Sequence, residues 1–193
     1  MKLNIQTIEG PWDKGYTLDK HIVQSTYLGD NQQGHATFDT TRTEIGQALY
    51  LLKYKQDMTQ VTPIADAILS TAKTLGFISA VIPMPASTLR RVQPVEELAK
   101  QVAIRGGLFY LDNLLVKTGA GAKMKDLSTA AEKADALKGS LAVNDVLSEG
   151  KYVILIIDDL FDTGSSFTEA TSVLRKYSKI SQIYVIAATR KRN

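Results

Sequence analysis

The stretch that most constrains this chain is KYVILIIDDLFDTGSSF, Lys151 to Phe167. An apolar run, Val153 to Ile157, reads as a strand and ends in two adjacent carboxylates, Asp158 and Asp159. Next come Asp162-Thr163-Gly164-Ser165-Ser166 and a helical pattern through Phe167, Ala170, Val173, Leu174 and Tyr177. In an open parallel sheet, ligands lie beyond the carboxyl ends of the strands, which is where this reading places the two acids. Adjacent carboxylates repel too strongly to share a dry core, so they belong near water, a cation or a diol. Because successive strand residues face opposite ways, the two acids are expected to differ in role.

The turn after them suits an anion. Gly164 lets the backbone approach closely, the helix that follows presents free N–H groups and its positive end, and Thr163, Ser165 and Ser166 add hydroxyls. A diol site beside a monophosphate cradle matches ribose 5-phosphate. The competing reading is a solvated strand end followed by a helix capped by Asp162 or Thr163.

The rest of the chain supplies the frame. Residues 1–40 read as strand-rich: Tyr16, Leu18, His21 to Val23 and Tyr27-Leu28 form one segment and His35 to Phe38 another, joined by a loop over residues 29–34. At Thr41 the period changes. Thr41-Arg42-Thr43-Glu44 matches a capping box, and Ile45, Ala48, Leu49 and Leu52 form one helical face, with Tyr50 and Lys53 elsewhere. Thr62-Pro63 opens a second helix closed by Gly76. Phe77 to Pro83 is the apolar type of strand buried on both faces of a parallel sheet. It leads into Met84-Pro85-Ala86-Ser87-Thr88 and Arg90-Arg91, and Pro94 opens a helix stopped at Gly106-Gly107. Leu108 to Val116 is expected as one strand, residues 117–128 as a lysine- and glycine-bearing loop, Ala130 to Lys138 as a helix, and Leu141 to Val143 and Ile183 to Ala188 as strands. Strands alternating with helices predict an α/β fold, a parallel twisted sheet flanked by helices. Residues 1–40 stand before it as a hood-like hairpin segment, and 41–193 form the main domain.

At 193 residues and 44% hydrophobic content, one domain with a full core is the simplest organisation. The sequence contains no cysteine, which excludes disulfides and thiolate metal sites. No run approaches the roughly 18–20 apolar residues of a membrane span, and the opening residues lack the apolar core of a signal peptide, so a soluble cytoplasmic protein is expected. The formal charge of +3 is mild. Arg190-Lys191-Arg192 could touch an anion or nucleic acid, but a solvated tail is the favoured reading, and no patch interleaves basic and aromatic residues. His21 and His35 read as strand surface or packing residues.

Two other nucleotide-binding patterns fail. Gly119 to Met124 lacks the glycine-lysine-hydroxyl ending of a P-loop. A receiver domain, which begins with a strand and an acidic pair, needs far more chain than follows Asp159.

VILIIDDLFDTGSS resembles the phosphoribosyl pyrophosphate (PRPP) motif of type I phosphoribosyltransferases. TRTEIGQALYLLKYKQD, VIPMPASTLRR and AEKADALKGSLAV extend the resemblance, over about Ala36 to Arg190, to ComF-type (amidophosphoribosyltransferase-like) proteins associated with DNA uptake. The resemblance implies that Asp158 and Asp159 bind the ribose hydroxyls and act at the catalytic centre, with the 5-phosphate on Asp162, Thr163, Gly164, Ser165 and Ser166. It makes Met84, Pro85, Ala86 and Ser87 the pyrophosphate loop, assisted by Arg90 or Arg91, and residues 117–129 a lid bringing Lys123 or Lys125 to the leaving group. Mg²⁺ would be held mainly by substrate and water, with no direct protein ligand. The implied function is phosphoribosyl transfer to a nitrogen acceptor in nucleotide metabolism, by a homodimer. The alternative is a non-catalytic PRPP-sensing or DNA-uptake accessory protein. Arg90-Arg91 as a solvated helix approach, and the lid lysines as a solvated loop, remain open readings. The chain departs from the ComF-type pattern in lacking the N-terminal cysteine zinc ribbon, whose place residues 1–40 take, and in having Lys133 and Ala136 where arginine and asparagine are frequent.

Overall fold

The computed structural model describes residues 1–31, 33–88, 90–119 and 138–191. In chain order these form β1 (Gln6–Thr7), β2 (Lys14–Lys20), β3 (Ile22–Asp30), β4 (Ala36–Arg42), α1 (Glu44–Lys55), α2 (Val61–Ala72), β5 (Ala80–Pro83), α3 (Pro94–Gly106), β6 (Phe109–Tyr110), β7 (Leu115–Lys117), β8 (Leu141–Val143), β9 (Tyr152–Phe161), α4 (Ser165–Leu174) and β10 (Ile180–Arg190). Lys123, Lys125, Lys133 and Ala136, and nearly all of the expected helix from Ala130, lie outside the described residues.

The central sheet has six strands in the order β1-β2-β10-β9-β5-β6. Only β1 runs antiparallel to its neighbour. The apolar run of β9 explains why both faces must be covered: Ile154, Leu155, Ile156 and Ile157 are all fully buried. The strand's period of two divides them. Val153, Leu155 and Ile157 pack with Ile45, Leu49 and Leu52 of α1 and with the inner faces of α2 and α3. Ile154 and Ile156 pack instead with Phe167, Ala170 and Leu174 of α4 and with Trp12. The chain therefore has the expected α/β architecture, a mostly parallel sheet between helical layers.

The first forty residues divide differently from the hood reading. Residues 14–20 do not join the hairpin; β2 enters the central sheet parallel to β10, with Ile186 opposite Tyr16. Leu18 and Thr17 are completely buried there, and β2 covers what would otherwise be an open edge of β10. Only β3 and β4 form a separate antiparallel pair, with Tyr27 opposite Phe38. Their turn is tighter than expected, because Asn31 Oδ1 accepts from the backbone N–H of Gln33 and of His35 at 2.9 and 3.0 Å.

Other differences are local. The helix cap is Thr43 rather than Thr41: its Oγ1 accepts from Gly46 N at 3.1 Å and donates to Lys20 O at 2.6 Å. Glu44 accepts from the backbone N of Lys2 instead of closing a capping box. The expected strand 108–116 breaks at Asp112-Asn113 into β6, paired with β5, and β7, paired with β8. The last strand is longer than expected because it pairs β9 as far as Arg190 opposite Phe161.

Gly46 shows how tightly α1 is seated. A Cβ there would lie 2.1 Å from the carbonyl oxygen of His21, so the helix start rests directly on the β2–β3 junction. That contact aims the last turn of α1 across the carboxyl end of β9.

Candidate functional site

Asp158 and Asp159 lie within β9, not past its end. What stops before them is β5, whose pairing with β9 ends at Pro83 opposite Ile157. On the other side β10 continues, with Ala187 opposite Asp158. The acids therefore line the gap where β5 leaves the sheet, the crevice in which ligands of open parallel sheets lie.

Their surroundings differ. Asp159 shares the side of β9 that carries α1, and its Oδ2 forms an ion pair with Nζ of Lys53 from the last turn of α1. Both side chains keep limited access to solvent, 16% for Asp159 and 21% for Lys53. Asp158 Oδ1 accepts from the backbone N–H of Asp159 at 2.8 Å. Burial, and then the charge of Asp159, push the Asp158 carboxyl up to about 8, against the opposing pull of that N–H and of Lys53. Asp158 is thus the member of the pair that holds a proton more readily and can donate it, beside an ion-paired carboxylate that only accepts.

A small network holds Asp159. Its carbonyl oxygen accepts from Thr189 Oγ1 at 2.8 Å, and that hydroxyl lies 3.2 Å from His21 Nδ1. Because Thr189 has a single proton and gives it to Asp159, Nδ1 of His21 is the donor in this contact. Burial lowers the His21 pKa, and Lys53 and Arg42 lower it further. His21 thus belongs to the site's surroundings, a place beyond the surface or packing role expected of it.

The turn after β9 is built over aromatic rings. Gly164, at φ 79°, is the left-handed residue that starts α4, and a Cβ there would lie 3.1–3.2 Å from the Phe161 ring. Phe161, Phe167 and Trp12 pack together below it with ring centroids 5.7–6.5 Å apart. Thr163 and Ser165 hydroxyls contact one another at 2.7 Å. Asp162 Oδ2 accepts from Lys191 Nζ at 2.6 Å, so one residue of the basic tail is tied to the turn. The N-cap itself, Gly164, has no side chain to cap α4, and Thr163 Oγ1 reaches the first helical N–H, that of Ser165, at 3.5 Å.

On the β5 side, buried Met84 donates its N–H to Ile157 O at 2.8 Å, which fixes the start of the Pro85-Ala86-Ser87 turn. Beside that turn is a cavity of about 410 Å³ whose walls include Pro85, Ser87, Glu96, Asp112 and Lys117. Burial, then Asp112 and Glu97, raise the Glu96 pKa. Among the described residues that line it, two carboxylates, Glu96 and Asp112, stand with one ammonium, Lys117. Arg90 turns instead to α1: its Nη1 donates to Lys53 O at 3.2 Å and its guanidinium lies over the Tyr54 ring. Arg91 is exposed.

Three residues that sequence reasoning did not select gather here: Arg42, Tyr50 and Lys53. Arg42 stacks on the Tyr50 ring at 4.1 Å, Tyr50 meets Tyr54 at 5.3 Å, and Arg90 lies 5.6 Å from the Tyr54 centroid. The fold therefore assembles an alternating basic and aromatic strip from segments far apart in sequence. Its one local signal was Tyr50, Lys53 and Tyr54, at helical spacing on a face away from Ile45, Leu49 and Leu52.

Among the described residues no group of three His, Asp or Glu side chains could hold a metal ion. Within that same set, the acid pair supplies the carboxylate oxygens of the crevice, and one member is already ion-paired. It fits contact with the outer shell of a Mg²⁺ carried by a ligand, not a cage of its own. No helix among the described residues is long and apolar enough to cross a membrane.

No model of a known protein family matches the chain, and neither does any curated protein. Among solved structures, adenine phosphoribosyltransferase from Leishmania tarentolae is similar over 97% of this chain and 94% of its own, with a TM-score of 0.50 and 7% identity. The orotate phosphoribosyltransferase of Aeropyrum pernix covers 82% of this chain and 73% of its own at 18% identity and a TM-score of 0.43. Adenine phosphoribosyltransferase from Thermoanaerobacter pseudethanolicus covers 86% and 95% at 16% identity and a TM-score of 0.46. At such identities the first of these likenesses shows a shared fold and no more.

Proposed function

We propose that the chain binds PRPP with Mg²⁺, or the ribose 5-phosphate part of a product, and transfers the phosphoribosyl group to a nitrogen acceptor. The single observation that carries this reading is the placement of the two acids in the gap beyond β5, followed directly by the glycine-led start of α4. The two differ in their hydrogen-bonding: protonated Asp158 donates to one ribose hydroxyl and Asp159 accepts from the other. The 5-phosphate lies on residues 162–166, at the glycine-led start of α4, whose first-turn N–H groups and positive end suit an anion.

In the transfer, the acceptor nitrogen's lone pair forms the bond to the anomeric carbon. The bond to the pyrophosphate oxygen breaks, and the pyrophosphate leaves with that electron pair. The acceptor's surplus proton goes to solvent. Mg²⁺, when bound, offsets the charge that builds on the leaving group. The Met84–Ser87 turn and Arg90 position the pyrophosphate.

Titration calorimetry with PRPP and Mg²⁺ tests the binding. The wild type is expected to bind, and the double variant Asp158→Asn/Asp159→Asn to lose at least about tenfold in affinity, the scale of one or two charged hydrogen bonds. Unchanged binding in that variant sinks the reading.

The strip of Arg42, Tyr50, Tyr54 and Arg90 favours one second reading, a non-catalytic PRPP-binding accessory protein that also holds single-stranded nucleic acid. Labelled oligothymidine separates the two. Micromolar binding that weakens steeply with salt, together with no pyrophosphate release for any base offered, selects the accessory role. Pyrophosphate release without oligonucleotide binding removes it.

A further inference from the structure

We propose that His21 is a positioning residue for the acid pair, holding the Asp159 main chain in place through the hydroxyl of Thr189; this rests on the reading of the crevice as a PRPP site. Asp159 needs such a hold. Pairing of β5 with β9 ends at Pro83 opposite Ile157, so β5 gives the two acids no ladder partner. The Asp159 main chain is tied instead within β9 and to β10. Its N–H donates to Asp158 Oδ1 at 2.8 Å, and its carbonyl oxygen accepts from Thr189 Oγ1 at 2.8 Å. A shift of this backbone would therefore move both carboxylates at once.

The tie to β10 depends on a proton at His21. Thr189 is fully buried, and its hydroxyl has one proton to give. Asp159 O lies 2.8 Å from that hydroxyl and His21 Nδ1 lies 3.2 Å from it. A neutral imidazole carries its proton on Nδ1 or on Nε2. With the proton on Nδ1, the ring donates to Thr189 and Thr189 donates to Asp159, so each group in the chain is paired. With it on Nε2, Nδ1 and Asp159 O compete for one hydroxyl proton and one acceptor goes without, which a buried site resists. The Nδ1–H tautomer is therefore the one that closes the network. The ring is held in this contact by its backbone: His21 N donates to Arg190 O at 2.8 Å, and its carbonyl oxygen lies so near Gly46 of α1 that no Cβ fits there. Its side chain is half-buried, with Lys53 of α1, Arg42 of β4 and Asp159 of β9 as the charged groups acting on it. Burial and the two cations favour the neutral form, and Asp159 opposes them. Acid does not open the network, since imidazolium also donates from Nδ1. The other tautomer does, and so does loss of the Nδ1 donor.

The test joins a spectrum to a set of variants. The chain has two histidines, His21 and His35, so long-range nitrogen–proton correlation spectra resolve both rings, with His35→Asn giving the assignment. At pH ~8, where the ring is neutral, His21 is expected as the Nδ1–H tautomer. Affinity for ribose 5-phosphate with Mg²⁺ is measured by calorimetry, with thermal melts confirming that each variant folds. In His21→Asn the amide nitrogen is bonded to Cγ, as Nδ1 is, and affinity should stay within about twofold of wild type. In His21→Gln that nitrogen sits one bond further out, and in Thr189→Val the hydroxyl is gone. Each should weaken binding about 5- to 10-fold, the scale of one hydrogen bond. The two losses should not add in the double variant, because both break the same chain of bonds. An Nε2–H tautomer, equal losses for His21→Asn and His21→Gln, or additive losses overturn the proposal, since the ring would then only fill space. Unchanged binding in both His21→Gln and Thr189→Val overturns it as well. A wild type that shows the Nδ1–H ring but binds neither ribose 5-phosphate nor PRPP overturns the PRPP reading itself, and with it the purpose given to the network.

Discussion

Phe167→Ala is expected to lower the unfolding free energy by about 3–5 kcal/mol, the usual cost of emptying a buried aromatic site. Phe167 is among the largest fully buried side chains, 2% exposed, and it sits in the first turn of α4 against Trp12 and Phe161. Few neighbours can collapse into the space it would leave, because Trp12 is fixed by its own bond from Nε1 to Ile8 O at 3.0 Å. A domain of ordinary stability holds about 5–15 kcal/mol, so the loss is a large share of the total. Urea unfolding should show a lower midpoint with an unchanged slope. Phe167→Leu, which keeps most of the volume, should cost about 1–1.5 kcal/mol. A loss below about 1 kcal/mol for the alanine variant contradicts the packing described. The same variant addresses function, since the three rings form the floor under Gly164. Ribose 5-phosphate affinity should fall in Phe167→Ala although the side chain touches no ligand, and should be largely kept in Phe167→Leu.

The sheet was legible because Val153–Ile157 and the end of the run from Phe77 to Pro83 have too little polarity to be anything but internal strands, although the strand starts only at Ala80 and Phe77, 76% exposed, lies outside it. The place of Lys14–Lys20 was not. Its alternation of Lys14, Tyr16, Leu18 and Lys20 is what any half-buried strand shows, and alternation does not say which sheet a strand joins. The Asp112-Asn113 break was written in turn-forming residues, but the apolar residues on either side masked it as one strand. Asp158, Asp159 and the glycine turn could be found because their spacing is local. Lys53 and Arg42 could not, since their partners lie far along the chain on β9 or across the β4–α1 junction. A helix pattern gives a residue's face and not what stands opposite that face.

Asp158 gives the last expectation its sign. A carboxyl raised from 3.8 to about 8 on folding binds its proton more tightly in the native state than in the unfolded chain. The stability this contributes is complete below the unfolded value, near pH 4, and is lost as pH rises toward 8. One such group can lower stability by up to about 1.4 kcal/mol per pH unit within that window. His21 works the other way: its lowered pKa removes stability as pH falls, so the clean interval is roughly pH 7 to 8, where the imidazole is neutral in both states. Wild-type stability, from urea unfolding at several pH values, should therefore decline across about pH 7 to 8, and the decline should vanish in Asp158→Asn. That variant should become the more stable of the two at about pH 8.5. Parallel curves for the two proteins sink the assignment. The amide introduced by Asp158→Asn also retains a donor where the protonated acid had one. Ribose 5-phosphate affinity of this variant should therefore stay within about threefold of wild type at pH ~7 and hold at pH ~9, where the wild type weakens. Asp159→Asn has no such compensation: its amide oxygen still accepts, but the negative charge that pairs Lys53 is gone, so the larger part of the double variant's loss belongs to it.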